Sequence, residues 1–189
     1  MTYQEFLNSK IEIAPDTGFT VRLEDVNPAL KPHQRDAVCW AIKGGRRGLF
    51  EAFGLGKTVQ QLEFCRLTIK YGKENGIENP KALIVLPLGV KQEFQRDAVQ
   101  LLGWEKAPIY VKTMAEVKSC PDDIMLTNYE RVRDGDIDPG YFLTTSLDEA
   151  SCLRDFGSDT YQTFLVKFRN VQFRLVSTAT PAPNRYKEL

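Results

Sequence analysis

The chain lacks the features that mark several large classes of protein. It has only four cysteines, Cys39, Cys65, Cys120 and Cys152, and no two of them form a Cys-x-x-Cys pair. This spacing argues against a zinc site and against a disulfide framework, and it favours buried thiols in a reducing compartment. No apolar stretch approaches membrane-spanning length, and the first residues have neither the basic start nor the apolar core of a signal peptide. We therefore expect a cytoplasmic protein.

The chain also lacks an excess of charge of either sign. Lysine and arginine together number 25, and aspartate and glutamate together number 25, so the formal net charge is zero. No global positive field marks a nucleic-acid-binding protein, and any such surface must therefore be local. With 42% hydrophobic and 26% charged residues among 189, the composition is that of a globular chain long enough for one well-buried core.

A glycine-rich segment stands between an apolar run at residues 48–53 and an amphipathic stretch at residues 59–67. It consists of Gly54, Leu55, Gly56, Lys57 and Thr58. This context predicts a turn from a buried strand into a helix, and such a turn can hold a phosphate group. Glycines let the backbone fold around an anion, the Lys57 ammonium can reach the outer phosphates of a nucleotide, and the Thr58 hydroxyl can bind magnesium.

The same segment is also compatible with a plain loop that carries a surface lysine. One residue departs from the full phosphate-loop pattern, because Glu51 stands where that pattern has a small residue, five positions before Gly56. The strand before the segment and the helix after it favour nucleotide binding over the plain loop.

A second candidate segment lies upstream, where Pro32 can open a helix that ends at Gly44 and Gly45. His33 and Gln34 lie in the first turn of this helix and are placed to meet a ligand. The alternative is that His33 is a partly exposed first-turn residue and Gln34 a solvated amide.

Alternation of apolar strands with amphipathic helices defines the expected fold class. Residues 82–86 form a continuous apolar run, as in a parallel strand that is covered on both faces. The other strand candidates are residues 19–23, 109–111, 124–127 and 171–176, and further helical candidates are residues 90–102 and 159–169. This order predicts an α/β fold with a mainly parallel sheet and helices on both faces, whose ligands collect at the carboxyl ends of the strands.

Asp148 and Glu149 follow another probable strand. Adjacent carboxylates near a packed core are costly unless a metal ion or a partner offsets them. In a phosphate-loop enzyme the first carboxylate helps to hold magnesium, and the second orients or deprotonates the attacking water. Alone, such a pair more often starts a helix, where acids favour the positive end of the dipole. Thr178 and Thr180 either form a hydroxyl-rich turn or sense the nucleotide site.

Taken in order, these segments resemble the amino-terminal RecA-like lobe of superfamily-two helicases and translocases, which carry DEAD or DEAH boxes, and are most similar to the Snf-type branch. The seven blocks are residues 30–34, 54–58, 86–89 with 94–96, 126–130, 148–151, 154–155 with 158, and 178–184. Ser151 replaces the histidine of the family's Asp-Glu-Ala-His block, and Ala179 replaces the glycine of its Thr-Gly-Thr-Pro block. In this branch the residue at the Glu51 position is often acidic.

The resemblance implies a RecA-like phosphate-loop sandwich of three layers at residues 30–189, after an extension at residues 1–29. It implies that ATP and Mg²⁺ are bound, with catalytic roles for Lys57, Asp148 and Glu149. The nucleotide contacts would come from His33, Gln34, Gly54, Leu55, Gly56, Lys57 and Thr58, and the metal contacts from Thr58 and Asp148. Coupling of hydrolysis to motion would involve Ser151, Thr178 and Thr180. The nucleic-acid contacts would come from Pro87, Leu88, Gly89, Thr127 and Asn128.

The activity implied by the resemblance is ATP-driven movement along nucleic acid, with duplex DNA as the expected partner and no membrane involved. Family members close a second RecA-like lobe over the nucleotide, and its arginines contribute about a thousandfold or more to the rate of phosphoryl transfer. This chain resembles the first lobe only. We therefore expect weak ATP binding and very slow hydrolysis until a second lobe is joined to it.

Two other functions stay open. The first is a nucleotide-binding module without turnover, which Ser151 and the absence of a second lobe suggest. The second is an unrelated phosphate-loop enzyme such as a small-molecule kinase. However, a kinase requires neither Gln34 before the glycine-rich loop nor Thr178 and Thr180 after the two carboxylates.

Overall fold

The computed structural model describes residues 14–153 and 159–180. Residues 1–13 of the expected extension, residues 154, 155 and 158 of the sixth block, and residues 181–184 of the last block lie outside the described residues. The strands are β1 (Arg46–Phe50), β2 (Ala82–Val85), β3 (Ile109–Tyr110), β4 (Ile124–Thr127), β5 (Thr144–Asp148) and β6 (Phe173–Thr178). The α-helices are α1 (Pro32–Gly44), α2 (Lys57–Glu74), α3 (Lys91–Gln100), α4 (Met114–Ser119), α5 (Tyr129–Arg133) and α6 (Asp159–Phe168). The 3₁₀ helices are Leu23–Asp25, Leu88–Val90, Pro139–Tyr141 and Ala150–Leu153.

The six strands form one sheet in the order β1-β6-β5-β2-β4-β3, and every neighbouring pair is parallel. Their carboxyl ends therefore meet at one edge of the sheet. The segment after β1 begins α2, β5 ends at Asp148, and β6 ends at Thr178. The predicted α/β class with a parallel sheet is confirmed. The parallel order also brings the glycine-rich segment at residues 54–58, the acids Asp148 and Glu149, and the threonines Thr178 and Thr180 to the same edge of the sheet.

Strand β2 shows that the sheet is covered on both faces. All four of its residues are buried, and successive side chains enter different cores because strand side chains alternate between faces. Ala82 and Ile84 belong to a core formed with α1, α2 and α3, whereas Leu83 and Val85 belong to a core formed with α4, α5 and α6. The sheet is thus the middle of three layers.

The strand predicted at residues 19–23 is wrong. The backbone amides of Thr17, Gly18 and Phe19 donate instead to carbonyl oxygens at the end of α1, so this segment caps a helix and pairs with no strand. Phe19 stacks on Tyr71 with ring centroids 3.9 Å apart and meets Phe173 edge-on. Phe19 and Val21 pack partly buried against the core, but the alternation of apolar residues could not indicate where the backbone hydrogen bonds go.

The helix predicted from Pro32 ends as expected, with Gly45 in a left-handed conformation at φ 71°. None of the helices in the described ranges is long and apolar enough to cross a membrane.

Candidate nucleotide site

The loop between β1 and α2 depends on glycine at two positions. Gly54 and Gly56 have φ angles of 80° and 82°, in the left-handed region that side-chain-bearing residues rarely adopt. A Cβ atom at position 56 would lie 2.2 Å from Gln34 Nε2. Gly56 therefore provides both the backbone conformation and the space for a close contact with α1.

Lys57 begins α2 and turns its ammonium back into the loop. Its Nζ donates to the carbonyl oxygens of Glu51 at 2.9 Å and Ala52 at 3.0 Å, and it lies 5.4 Å from the centroid of the Phe53 ring. The positive charge thus lies inside the loop, where it contacts oxygen acceptors. Phosphate groups also carry oxygen acceptors for such a donor.

The structure places Gln34 against the loop and leaves His33 exposed in the preceding position. Gln34 is only 7% exposed. Its Oε1 accepts from the Lys31 amide at 2.9 Å, and its Nε2 donates to the Leu55 carbonyl oxygen at 2.8 Å. The alternative that Gln34 is a solvated amide is wrong, because this side chain joins the start of α1 to the loop.

Glu51, which departs from the full phosphate-loop pattern, has a defined partner. Gln60 is fully buried in α2, and its Nε2 donates to Glu51 Oε2 at 2.7 Å and to the Leu55 carbonyl oxygen at 3.3 Å. The acidic residue is therefore tied to the helix that follows the loop.

Asp148 lies at the carboxyl end of β5, within the electrostatic reach of the loop. Its Oδ1 accepts from Gln61 Nε2 at 2.8 Å, and its carbonyl oxygen accepts from the Tyr129 hydroxyl at 2.7 Å. Burial raises the pKa of Asp148 to about 6; the Gln61 hydrogen bond and the Lys57 charge oppose this rise, and the negative charge of Glu149 adds to it. The charges of Lys57, Asp148 and Glu149 therefore influence one another at this edge of the sheet.

The raised pKa of Asp148 predicts a stability difference that depends on pH. A carboxyl whose pKa rises from 3.8 to about 6 on folding contributes stability that is present below about pH 4 and is lost as the pH rises through 6. An asparagine side chain at this position would be neutral at every pH and would still accept from Gln61. We expect the Asp148→Asn variant to exceed the parent in free energy of unfolding by about 2 to 3 kcal/mol near pH 7, and to match it near pH 4.

Denaturant unfolding at stepped pH measures this difference. Asp134→Asn is the matched control, because Arg133 lowers the pKa of that exposed carboxyl, so its replacement should bring no gain near neutral pH. A gain for Asp148→Asn that is equal at all pH values would contradict the assignment of the effect to the buried charge.

Glu149 has an unusual backbone conformation and lies close to several side-chain hydroxyl groups. Its φ of 48° is left-handed, which costs energy for a residue with a side chain. Its Oε1 accepts from Thr178 Oγ1 at 3.1 Å and lies 3.5 Å from Thr180 Oγ1. Ser151 Oγ lies 3.5 Å from the Glu149 carbonyl oxygen. The structure thus brings all three residues predicted to couple hydrolysis to motion into contact with Glu149.

The donors available to a metal ion at this edge are oxygen atoms. No group of three or more His, Cys, Asp and Glu side chains in the described ranges is arranged to hold a metal by itself. Mg²⁺ is usually bound by one or two carboxylates together with substrate phosphates and water. The Thr58 hydroxyl, which lies 3.4 Å from Glu93 Oε1, and the Asp148 carboxylate fit that requirement.

The residues predicted to contact nucleic acid differ in how exposed they are. Leu88 and Gly89 are exposed at the end of β2, and Pro87 is half-buried beside them. Thr127 is fully buried, and its hydroxyl donates to the Val111 carbonyl oxygen at 2.9 Å. The Thr127 hydroxyl is therefore hydrogen-bonded inside the sheet and is not exposed to a nucleic-acid strand.

Asn128 is half-buried at the end of β4 and has partners at both ends of its amide. Its Oδ1 accepts from the Tyr110 hydroxyl at 2.9 Å, and its Nδ2 donates to Glu130 Oε2 at 2.6 Å. The Nδ2 atom carries a second hydrogen beyond the one donated to Glu130, so a phosphate contact does not require the loss of either bond.

Sequence reasoning missed several residues of this site: Gln60, Gln61, Tyr129 and Glu93. A sequence signal for Gln60 and Gln61 was present, because these adjacent amides lie one turn after Lys57 in a mainly apolar stretch of α2. Buried amides require partners, and here those partners are the loop and β5.

Comparison with known proteins bears on this site and on the fold. No protein-family model matches the chain. The chain is 27% identical, over 99% of its own length, to the protein CHROMATIN REMODELING 19 of Arabidopsis thaliana. It is 24% identical, over 95% of its length, to the Chromodomain-helicase-DNA-binding protein 3 homolog of Caenorhabditis elegans. It spans only 28% and 11% of these two relatives.

Solved structures share the fold. The Sulfolobus solfataricus SWI2/SNF2 ATPase core in complex with dsDNA matches 90% of the chain with a TM-score of 0.64 and 18% identity, and 36% of that structure is covered. The UvsW helicase of bacteriophage T4 matches 98% of the chain with a TM-score of 0.63 and 17% identity, and 61% of it is covered. The predicted RecA-like fold and the resemblance to the Snf-type branch of superfamily two are confirmed.

Proposed function

We propose that this chain is the ATP-binding lobe of an ATP-dependent helicase or translocase of the Snf type. One observation carries the proposal. Lys57 follows β1, Asp148 ends β5, and Thr178, which ends β6, donates to Glu149, so residues far apart in sequence surround one edge of the sheet. This grouping is what binding and hydrolysis of a magnesium-bound triphosphate require.

Each residue has a distinct role in this proposal. Lys57 and the loop amides would bind the phosphates, and Thr58 and Asp148 would hold a magnesium ion, which would neutralise charge on the phosphates. Glu149 orients the attacking water and accepts its proton. Gln34 fixes the loop through Leu55, so its contribution to nucleotide binding includes holding the loop in shape.

The proposed nucleic-acid partner is duplex DNA. The support is that a structural neighbour was solved as an ATPase core in complex with dsDNA, and that the exposed turn at Leu88 and Gly89 follows β2, so it lies at the edge that also carries the nucleotide site. Backbone groups in such a turn contact phosphates without reading sequence. In this proposal residues 30–189 form the first lobe of a two-lobe protein in the cytoplasm, and hydrolysis requires the second lobe.

A second candidate function is nucleotide binding without turnover. The observation that favours it is Ser151, which stands in place of the family histidine and lies 3.5 Å from the carbonyl oxygen of Glu149. A serine there is compatible with the nucleotide-binding pocket but does not provide an imidazole for coupling.

The experiment that separates these functions titrates ATP and duplex DNA together against the two-lobe protein. We expect each ligand to tighten the binding of the other, since a motor couples its two sites and such coupling is reciprocal. DNA affinity should also fall steeply as salt rises, because phosphate contacts release counterions.

Two other outcomes would reject the motor proposal, and a third would reject only its proposed DNA contacts. Independent binding of ATP and DNA, with no stimulation of hydrolysis, would favour the binding module. Phosphorylation of a small-molecule acceptor would favour the kinase. A DNA affinity that does not change between low and moderate salt would contradict the proposed contacts between this chain and DNA phosphates.

A further inference from the structure

The geometry points to Gln61 as a positioning residue that holds the Asp148 carboxylate in place for the magnesium-bound nucleotide, an inference that rests on the function proposed above. Gln61 is fully buried. It lies four residues after Lys57 in α2 and therefore on the same side of that helix. This helix packs directly against β5, the strand that ends at Asp148.

The Gln61 side chain connects two residues of β5. Ser146 Oγ donates to Gln61 Oε1 at 2.7 Å, and Gln61 Nε2 donates to Asp148 Oδ1 at 2.8 Å. Ser146 and Asp148 are two positions apart in a strand, so their side chains point to the same face. A single buried amide thus joins the interior of the strand to the carboxylate at its end.

The direction of this amide is determined by chemistry. An ionised carboxylate offers acceptors only, so the amide must turn Nε2 toward Asp148. Ser146 can donate or accept, and it therefore donates to the oxygen that remains. Because both ends of the amide have partners, its conformation is fixed, and rotation of the Asp148 carboxylate is restricted in turn.

The adjacent amides in α2 serve different parts of the site. Gln60 reaches the loop through Glu51 and Leu55, whereas Gln61 reaches β5. Gln60 thus ties the loop to the helix, and Gln61 ties the helix to the acid. Groups that orient a ligating carboxylate typically change metal affinity by about 10- to 100-fold when they are removed.

The test measures binding of a fluorescent ATP analogue to the 189-residue chain while Mg²⁺ is titrated. Leucine has a volume close to that of glutamine but neither donates nor accepts a hydrogen bond. We expect the Gln61→Leu variant to raise the Mg²⁺ concentration for half-maximal binding by about tenfold or more. Binding of the analogue without Mg²⁺ should change by less than about twofold, because the loop and Lys57 are intact.

Two further variants make the test specific. Ser146→Ala removes the partner of Gln61 Oε1 but keeps the amide, so a smaller shift of about threefold is expected, and this variant carries the test if Gln61→Leu does not fold. Thr68→Val is the matched control, because Thr68 accepts from Thr144 at 2.8 Å in the same interface between α2 and β5. It should lower stability and leave the Mg²⁺ dependence unchanged.

The outcomes separate this inference from the proposed function. If the parent chain binds the analogue without any dependence on Mg²⁺, both fail. If the parent depends on Mg²⁺ and neither Gln61→Leu nor Ser146→Ala shifts the midpoint, the role of Gln61 is rejected and the proposed function stands. An equal shift in Thr68→Val would show general loosening of the interface and would also reject the role.

Discussion

Replacing Lys57 with alanine is expected to abolish nucleotide binding, with a loss of affinity for Mg²⁺-ATP of about 100-fold or more. The Lys57 ammonium is the positive charge held within the loop, where it contacts the carbonyl oxygens of Glu51 and Ala52. Alanine removes both the charge and the donors. The fold should be weakened but retained, because hydrogen bonds from a charged donor contribute about 1.5 to 3 kcal/mol each, against a total stability of about 5 to 15 kcal/mol for a typical domain. Titration with a fluorescent ATP analogue, together with thermal unfolding, measures both effects.

The matched control for this substitution is Lys70→Ala. Lys70 lies in the same helix and is paired with Asp25 at 3.1 Å, far along α2 from the loop. Its replacement should leave nucleotide affinity within about threefold of the parent. If Lys57→Ala bound the analogue as tightly as Lys70→Ala, the loop would have only a structural role.

Replacing Glu149 with glutamine should stop ATP hydrolysis in the two-lobe protein while nucleotide binding is retained. A general base contributes about 10²- to 10⁴-fold to a rate, and we expect a loss in that range. Glutamine keeps the length of the side chain and an oxygen that can accept from Thr178, which now donates at 3.1 Å. It has no carboxylate to take the proton of the attacking water. Steady-state hydrolysis, measured beside the affinity for ATP, tests the role.

Glu74→Gln provides the same chemical change at an exposed position at the end of α2, where Glu74 is 61% exposed and 3.8 Å from Lys70. Turnover of this control should equal that of the parent. Unchanged turnover in Glu149→Gln as well would remove Glu149 from the catalytic role. A loss of affinity in parallel with the loss of turnover would instead indicate that Glu149 acts by holding the site together.

The local parts of the fold were predictable from the sequence because each has a strong local signal. The apolar run at β2, the glycines before Lys57 and the acids at the end of β5 can each be recognised within a few residues. Parallel pairing then follows from the alternation of strands and helices, and it brings the ends of β1, β5 and β6 to one edge without any knowledge of side-chain contacts.

The contacts that depend on the register between elements were not predictable in the same way. Thr127 is a predicted nucleic-acid contact, yet its side chain is buried and its hydroxyl donates to the carbonyl oxygen of Val111, the residue after the outer strand β3. Gln34 suggested either a ligand contact or a solvated amide, yet it binds the loop at Leu55. Gln61 reaches Ser146 and Asp148 only because α2 lies across β5. Such pairs are 16 to 87 residues apart in sequence, and local patterns do not encode them.

A crystal structure of the chain with Mg²⁺ and a non-hydrolysable ATP analogue is the most direct test of the central claim that these residues surround one nucleotide. We predict that Lys57 Nζ will leave the carbonyl oxygens of Glu51 and Ala52 and bind a phosphate oxygen, with Thr58 on the magnesium ion and Asp148 beside it, directly or through water. A nucleotide bound elsewhere, or a magnesium ion with neither Thr58 nor Asp148 near it, would contradict the claim.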